Sequence, residues 1–219
     1  ISPILANVYL HYVLDLWFEK CIKKQLYGEA YLIRFADDFL IMFQYERDAQ
    51  RVYEAIVKRM ELFGLELSKE KTRILPFGRY SVSRETFDFL GFTHFNSKTR
   101  KGYYSVGHKI SHKKKKQFKS NLKKWVKENR NTQFDEFMKA LNKKLTGSFN
   151  YYSLSGMIRE VRSLWIHSLY VTFKWMNRRS QRRSFKLERF YEIWNDQIVH
   201  PFIHVDIWSG DKVIYNKNV

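Results

Sequence analysis

Two adjacent acids, Asp37 and Asp38, lie in the middle of an apolar run that extends from Tyr31 to Phe43. Neighbouring carboxylates repel each other, and burying them without partners costs free energy. The arrangement becomes favourable if the pair lies at a tight turn where a divalent cation supplies the compensating charge. These residue types indicate metal-assisted phosphoryl or nucleotidyl transfer. The alternative is ordinary turn chemistry, which also places acids at hairpins.

Nucleotidyl transfer of this kind requires carboxylates that hold two Mg²⁺ ions about 4 Å apart, to activate the attacking 3′-oxygen and to neutralise the triphosphate. Asp37 and Asp38 supply two carboxylates, and at least one more normally comes from a neighbouring strand. Asp15 lies on a predicted helix and Asp88 on a different predicted strand, so neither is a good candidate. We therefore expect the further carboxylate to come from a segment upstream of Ile1.

The elements that must position the acid pair follow one another along the chain as a helix, a hairpin and a second helix. Ser2 is a good N-cap and Pro3 a good first helical residue, which predicts a helix from residue 4 to about residue 20. Two β-prone runs that flank the acids predict a hairpin, and a second helix is predicted over 46–63. The strands predicted in this half are Tyr31–Phe35, Phe39–Phe43, Leu65–Leu67, Thr72–Leu75 and Thr86–Phe92. This pattern predicts an α+β sheet domain with helices on one face.

The net charge of +18 is confined to the second part of the chain. Residues 96–219 hold 27 of the 40 basic residues and 9 of the 22 acidic ones, whereas residues 1–95 are neutral. A neutral part that carries an acid pair, joined to a strongly basic part, indicates a catalytic part and a polyanion-binding part. Nucleic acid is the favoured polyanion, ahead of an anionic membrane surface.

The basic part has the pattern of a small helical bundle. Residues 96–112 are polar and predict a connector with a small hairpin near Arg100 and Tyr103. Helices are predicted over 113–129, 133–146 (ended by Gly147), 149–179 and 185–195, with an extended tail over 196–219. The predicted domains are therefore 1–95, the connector 96–112, the bundle 113–195 and the tail. One cysteine, the lack of a long apolar stretch and the lack of a signal-peptide pattern favour a soluble cytoplasmic protein without a membrane partner.

Six short motifs occur in order along the chain. They are Ser2–Asn7, Phe35–Asp38, Gly64–Thr72, Phe89–Phe92, Leu141–Tyr152 and Phe173–Phe185. In this order they resemble the motifs of the reverse transcriptases encoded by bacterial group II introns, also called intron maturases. The matching features are the start of a long palm helix, the catalytic aromatic-Ala-Asp-Asp turn, the motif after it, the primer-gripping turn and two parts of the maturase-specific thumb. The family usually has Tyr where this chain has Phe35, which keeps the aromatic ring.

The resemblance implies an α+β fold: the C-terminal part of a right-hand polymerase palm followed by an all-α thumb bundle. It implies an RNA-directed DNA polymerase that uses Mg²⁺, dNTPs and an RNA template–DNA primer duplex, and that binds its intron RNA to assist splicing. Catalysis and metal binding would belong to Asp37 and Asp38. The family's fingers and first catalytic Asp would precede Ile1, so we expect the chain to be a fragment that is inactive alone.

The resemblance and the charge pattern also give candidate binding residues. Those expected to contact primer or template are Ser2, Pro3, Lys71, Leu90 and Gly91, and those expected to bind RNA are Lys113, Lys114, Lys115, Lys116, Arg178, Arg179, Arg182 and Arg183. Phosphate contacts of this kind give affinity without base specificity. The alternative for the basic residues is a solvated helix face. Arg34 could pair with nearby acids in a structural or a functional role, and Trp165 and Trp175 are expected to pack the bundle.

Two other functions remain open. The chain could be a non-catalytic RNA-binding maturase, or a decayed remnant whose acid pair is idle. A nucleotide cyclase with a palm-like fold also carries acids at a hairpin, but that function does not explain why the second part of the chain is basic and helical.

Overall fold

The computed structural model of the chain describes residues 2–68, 70–179 and 184–202. The chain divides into two compact units. Unit 1 contains the described residues of 2–90 together with 95–107, and unit 2 contains 91–94 and the described residues from 108 onward. No helix within the described ranges is long and apolar enough to cross a membrane.

Unit 1 begins with a helical segment that extends from Ser2 to Gln25. The α-helix α1 (Ser2–Leu10) continues through π-helical turns at His11–Asp15 and Phe18–Ile22 and ends in a 3₁₀ turn, Lys23–Gln25. The helix predicted over 4–20 is therefore confirmed, and the observed segment is about two turns longer, mostly at its C-terminal end. The wider π turns change the angular spacing of the side chains, and Val13, Leu14 and Phe18 are all buried in one core.

A two-stranded hairpin follows, as predicted. Strand β1 (Ala30–Phe35) pairs antiparallel with β2 (Asp38–Phe43), in a register that runs from Ala30↔Phe43 to Phe35↔Asp38. Residues directly opposite each other lie on the same face of the ladder. The pairs Leu32↔Ile41 and Ala30↔Phe43 pack against the core of unit 1, so the other face of the hairpin is directed away from that core.

Helix α2 (Glu46–Leu62) covers the buried face of the hairpin and confirms the second predicted helix. Gly64, with φ +67°, follows the helix at the position where a left-handed residue usually ends it. The buried carboxylate of Asp48 accepts hydrogen bonds from the backbone N–H groups of Tyr27 and Gly28, which fixes the loop before β1. The buried core of unit 1 is formed by Val13, Leu14, Phe18, Ala30, Val52, Ile56 and Met60.

The strands predicted at Leu65–Leu67 and Thr72–Leu75 are wrong. Within 65–68 and 70–85 the structure has no strand, although the Ser68 carbonyl accepts from the N–H of Lys71 and of Thr72 in a local turn. Leu65 and Leu67 pack on the core of unit 1. The alternating pattern therefore reflects an extended segment that covers a core, and such a segment needs no ladder of hydrogen bonds.

Three further strands form a second sheet in the order β3-β4-β5. They are β3 (Thr86–Phe89), β4 (Phe92–Lys98) and β5 (Tyr104–Ile110). The strand predicted over 86–92 is interrupted, because Leu90 and Gly91 form a turn with φ of +49° and +82°. The predicted small hairpin is present but longer, since most of 96–112 belongs to β4 and β5 rather than to a connector.

Unit 2 contains four helices within the described residues. They are α3 (His112–Asn129), α4 (Phe134–Tyr152), α5 (Ile158–Met176) and α6 (Leu187–Gln197). Ser111 caps α3, since its hydroxyl accepts a hydrogen bond from the N–H of Lys114 at 3.4 Å. Helices α3 and α6 lie within two residues of their predicted bounds. The tail predicted over 196–219 lies mostly outside the described residues.

The predicted boundary between the two middle helices is wrong. Gly147 lies inside α4, and the chain breaks instead at 153–157, where Gly156 has φ +84°. Leu141, Leu145 and Phe149 are spaced by four residues and are all buried. Their burial is worth more than the roughly 1 kcal/mol that a glycine costs inside a helix, so α4 continues through Gly147.

Candidate functional site

The acid pair lies at the tip of the hairpin. Asp37 is the second of the two turn residues, and Asp38 is the first residue of β2. Both side chains are exposed, and within the described part of the chain neither carboxylate has a hydrogen bond or an ion pair. Two unpaired like charges on adjacent residues create a strongly negative point that favours a cation.

Arg34 anchors this turn to the first helical segment. Its Nε and Nη2 donate to Oδ1 and Oδ2 of Asp15 at 2.8 and 2.7 Å, which is a bidentate pair. Its Nη1 donates to Oδ1 of Asn7 at 2.9 Å and to the carbonyl of Ala36 at 2.8 Å. Ala36 has φ +54°, a left-handed conformation that alanine rarely adopts. The Arg34 guanidinium therefore holds the strained turn residue that precedes the acid pair.

The same contacts determine the electrostatics of Asp15. The hydrogen bonds from Arg34 lower the pKa of the Asp15 carboxyl, against the opposing effect of partial burial. His11, whose Nδ1 lies 3.2 Å from Oδ2 of Asp15, also lowers this pKa. Asp15 in turn raises the pKa of Arg34. Asp15 is thus an ion-pair partner of Arg34 and is not free to bind a metal.

The carboxylates of Asp37 and Asp38 are chemically suited to a divalent cation, but these two residues are too few to hold one. Carboxylate oxygens are the ligands that Mg²⁺ prefers. However, among the described residues no group of three or more His, Cys, Asp or Glu side chains could hold a metal ion. Asp37 and Asp38 could hold such an ion only together with ligands that the described residues do not supply.

Asp38 borders an exposed apolar face. Because Phe35 and Asp38 are directly opposite, they share the face of the hairpin that the core leaves open. Phe35 is 65% exposed, and Ile33, Tyr31 and Met42 on the same face are also exposed. A flat surface of aromatic and aliphatic side chains beside carboxylates can contact a sugar or a base while the acids contact a metal or a polar group.

The predicted primer-gripping turn is formed by Leu90 and Gly91. The Gly91 carbonyl accepts a hydrogen bond from the Ser111 N–H at 3.0 Å, at the start of α3. A Cβ at Gly91 would lie 3.5 Å from Cγ of Lys114 and 3.7 Å from the Tyr152 hydroxyl. The structure therefore brings two predicted binding residues, Gly91 and Lys114, next to each other. Burial raises the pKa of Tyr152 beside them.

The predicted basic residues have different environments. Lys113, Lys114 and Lys116 are exposed in the first turns of α3. Lys115 is half-buried and forms an ion pair with Glu160 of α5, which ties the two helices together. Lys71 is exposed, and Ser2 and Pro3 begin α1.

The cluster after α5 is only partly described. Arg178 is exposed, and Arg182 and Arg183 lie outside the described residues. Arg179 is half-buried, and its Nε and Nη2 are buried without a hydrogen-bond partner within the described part of the chain. This burial lowers the pKa of Arg179.

Sequence reasoning missed the surroundings of Trp175. Its half-buried ring packs on the core of unit 2, as expected, but three cations also lie against it. Nζ of Lys127 and the guanidinium carbons of Arg130 and Arg178 are 5.9, 5.4 and 5.5 Å from the ring centroid. The three-residue spacing between Trp175, near the end of α5, and Arg178, just after it, could have suggested one contact. Of the other two cations, Lys127 lies in α3 and Arg130 directly follows it, and no local pattern places them at this ring.

Residues 1–94 match the family model of the reverse transcriptase (RNA-dependent DNA polymerase). This stretch contains the helical segment, the hairpin with its acid pair and the Leu90–Gly91 turn. No curated protein matches the chain. The family match supports RNA-directed DNA polymerase activity in general, a nucleic acid template and primer, and nucleotide substrates.

Proposed function

We propose that the chain is part of an RNA-directed DNA polymerase of the group II intron type, in which unit 1 contributes to the palm and unit 2 is a thumb that also binds intron RNA. The observation that carries this proposal is the exposed, unpaired acid pair at a two-residue hairpin turn, inside the stretch that matches reverse transcriptases. The anchoring of that turn by Arg34 supports it, since a catalytic group must be held rigidly.

In this function Asp37 and Asp38 are the metal ligands that this chain contributes, with further ligands from outside the described residues. The bound Mg²⁺ supplies positive charge to the attacking 3′-oxygen and to the triphosphate. Arg34 keeps the turn in its left-handed conformation. Gly91 has no side chain, so a primer strand can approach its backbone, and Lys114 beside it contributes a charge for a phosphate.

The RNA-binding role rests on the charge of unit 2. Lys113, Lys114 and Lys116 are exposed at the start of α3, and Arg178 is exposed after α5. Contacts to phosphates release counterions, so binding weakens steeply as salt rises. If about six phosphates are contacted, affinity for structured RNA should fall on the order of 10³-fold between about 50 and 200 mM salt.

The catalytic proposal is tested by RNA-templated primer extension. The chain would be joined to a fingers-and-palm segment that brings a further carboxylate. We expect extension, and we expect Asp37→Ala and Asp38→Ala each to reduce it by about 10²-fold or more, because metal stabilisation is worth several kcal/mol. Glu54→Gln, which removes an exposed carboxylate of α2 in the same unit, is the matched control. Undiminished extension by the Asp37→Ala enzyme would contradict the assignment.

A non-catalytic RNA-binding maturase is the second candidate. The exposed basic residues of unit 2 favour it, because RNA binding uses them and needs no metal site. The same joined enzyme distinguishes the two functions. Salt-dependent binding of structured RNA without any extension would support the maturase and exclude the polymerase.

A further inference from the structure

Residues 76–85 of unit 1, which we call the Tyr80 loop, carry two apolar side chains that are almost fully exposed. Tyr80 is 91% exposed and Val82 is 101% exposed, the highest values among the large hydrophobic residues of the described chain. A loop that exposes two such side chains offers an apolar surface to a partner. The contacts and charges around the loop indicate which partner it fits.

The side chain of Asn96, in β4, ties the two arms of the loop together. Its Oδ1 accepts a hydrogen bond from the N–H of Gly78 at 3.1 Å, and its Nδ2 donates to the carbonyl of Ser83 at 3.3 Å. The hydroxyl of Tyr104, in β5, donates to the same Oδ1 at 3.0 Å and so fixes the orientation of the amide. The loop is therefore held on the second sheet through this asparagine.

Hydrogen bonds inside the loop turn its serines inward and its apolar side chains outward. The hydroxyl of Ser81 donates to the carbonyl of Pro76 at 3.2 Å and accepts from the N–H of Ser83 at 3.1 Å. Both serines are half-buried, whereas Tyr80 and Val82 are exposed. A loop that is already tied in this way loses less conformational freedom on binding than a free loop does. The Tyr80 ring is thus presented on a prepared support.

The loop and the residues just before it are basic. Lys71, Arg73, Arg79 and Arg84 are all exposed, and no acid occurs between Lys71 and Arg84. Within the described part of the chain, neither Arg79 nor Arg84 has an ion pair. The guanidinium carbon of Arg79 lies 5.8 Å from the centroid of the Tyr80 ring. This surface therefore favours a polyanion that also offers a flat apolar group.

Single-stranded nucleic acid has both of these features. Its phosphates are anionic, and its unpaired bases expose flat faces that stack on aromatic rings. Inside a duplex the same faces are covered by the neighbouring bases, and a protein reaches them only by unstacking the base. A duplex could therefore contact the arginines of the loop but not the face of the Tyr80 ring.

We propose that the Tyr80 loop binds an unpaired nucleotide, whose base stacks on the Tyr80 ring while Arg79 and Arg84 contact the phosphates beside it. Val82 contributes an apolar contact to its sugar. Stacking on a tyrosine accepts any base, so the site distinguishes unpaired from paired nucleotides and does not read sequence. The proposal rests on the proposed function, because it assumes that the chain binds nucleic acid, and it adds a site in unit 1 to the basic residues of unit 2.

The test compares two RNAs that share one stem. Both are hairpins with a stem of about 16 base pairs, and one of them also has an unpaired extension of about six nucleotides. Their affinities for the full chain are measured by fluorescence anisotropy. Because the stem is the same, the difference between the two affinities reports the extension. We expect the extended RNA to bind about 10-fold more tightly than the hairpin without the extension.

The Tyr80→Ala variant should lose this gain and should bind the hairpin without the extension as the unmodified chain does. Tyr80→Trp should keep the gain, because indole also stacks on bases. An extension of abasic nucleotides, which keeps the phosphates, should bind equally to the unmodified chain and to Tyr80→Ala. A loss of affinity for the abasic extension in Tyr80→Ala would contradict stacking.

Tyr27→Ala is the matched control. Tyr27 is an exposed tyrosine of the same unit, and the guanidinium carbon of Arg47 lies 3.8 Å from its ring centroid. The exposed acids Glu29 and Glu46 are close to these two residues in sequence, so a polyanion is not favoured there. Tyr27→Ala should therefore leave both affinities unchanged.

Asn96→Ala tests the support of the loop. It should weaken binding of the extended RNA by about threefold, because the freed arms must be ordered again on binding. Combined with Tyr80→Ala it should cause no further loss, since Asn96 acts only through the loop. A further loss in the double variant would contradict that positioning role.

Two outcomes separate this proposal from the proposed function. If the unmodified chain and Tyr80→Ala bound the extended RNA equally well, the loop would not be a nucleic acid site, and a protein partner would be its occupant, while RNA binding by unit 2 would stand. If the unmodified chain bound neither RNA, both the proposed function and the Tyr80 site would be overturned.

Discussion

Arg34 shows how one side chain can combine a structural role with a functional one. Holding Ala36 in a left-handed conformation costs about 1–3 kcal/mol. Arg34 offsets this cost with a charge-assisted hydrogen bond to the Ala36 carbonyl, while Asp15 and Asn7 fix the guanidinium from the helix side. A lysine has neither the planar fork nor the number of donors to make these contacts together. The acid pair is thus positioned by residues that do not touch it.

At this scale, stability should depend on pH through Asp15. Arg34 holds the folded pKa of Asp15 below its unfolded value of about 3.9, so between the two values the unfolded state binds more protons. The stability that the Asp15–Arg34 pair contributes is therefore fully present above about pH 4, and it is lost as pH falls through the folded pKa of Asp15. Asp15→Asn should destabilise the chain by about 1–3 kcal/mol at neutral pH and should flatten the loss of stability below about pH 4, as measured by urea unfolding.

Glu19→Gln is the control for that experiment. It removes a carboxylate from an exposed pair with Lys23 in the same helical segment, and such pairs contribute at most about 0.5 kcal/mol. If Asp15→Asn kept the acid sensitivity of the unmodified chain, the Arg34 pair would not be its source.

At the scale of elements, two glycines of unit 2 differ in backbone conformation, so the same substitution should have opposite effects on stability. Gly147 lies inside α4, and apart from its chain neighbours and the nearby backbone of the helix no atom lies within 4 Å of the position of a Cβ. Gly156 lies in the break before α5 with φ +84°, where an L side chain is strained. The break itself is held by the ring Nε2 of His108, which lies 2.9 Å from the carbonyl of Ser155.

The two glycines give a matched pair of substitutions. Gly147→Ala should stabilise unit 2 by roughly 0.5–1 kcal/mol, because alanine is the better helix former. Gly156→Ala should destabilise it by roughly 1–2 kcal/mol, because alanine at positive φ is strained. Thermal unfolding of the two variants checks both signs. A loss of stability from Gly147→Ala would instead support the helix end predicted there from the sequence.

The elements also show what local sequence can and cannot predict. The hairpin and α2 follow from periodicity and flanking turn residues, and their bounds are within one or two residues of the predicted ones. The break at 153–157 was missed because Gly147 carries the stronger local stop signal, whereas the burial of Phe149 on the core decides the outcome. The Arg34–Asp15 pair joins residues 19 positions apart, and the Trp175 cluster joins two helices. Contacts of this kind have no local signature.

At the scale of the whole molecule, each unit has a hydrophobic core of its own. The core of unit 1 is small and is built from the helical segment, the hairpin and α2. The core of unit 2 is larger and rich in aromatic residues, including Phe137, Phe149, Phe190 and Trp194. Within unit 2, Phe92 stacks on Tyr151 at 5.6 Å between ring centroids, so residues 91–94 belong structurally with the helices. Separate cores predict that each unit can open locally without the other.

A matched pair of core substitutions checks this independence. Leu14 in unit 1 and Leu145 in unit 2 are both fully buried, and leucine-to-alanine changes at such sites cost about 2–5 kcal/mol. In native-state hydrogen exchange, Leu14→Ala should lower the protection of β1, β2 and α2 while leaving α4 and α5 unchanged. Leu145→Ala should do the reverse. Local opening within a unit affects only the amides of that unit. Equal loss of protection in both units from either substitution would therefore mean that the two cores unfold as one cooperative structure.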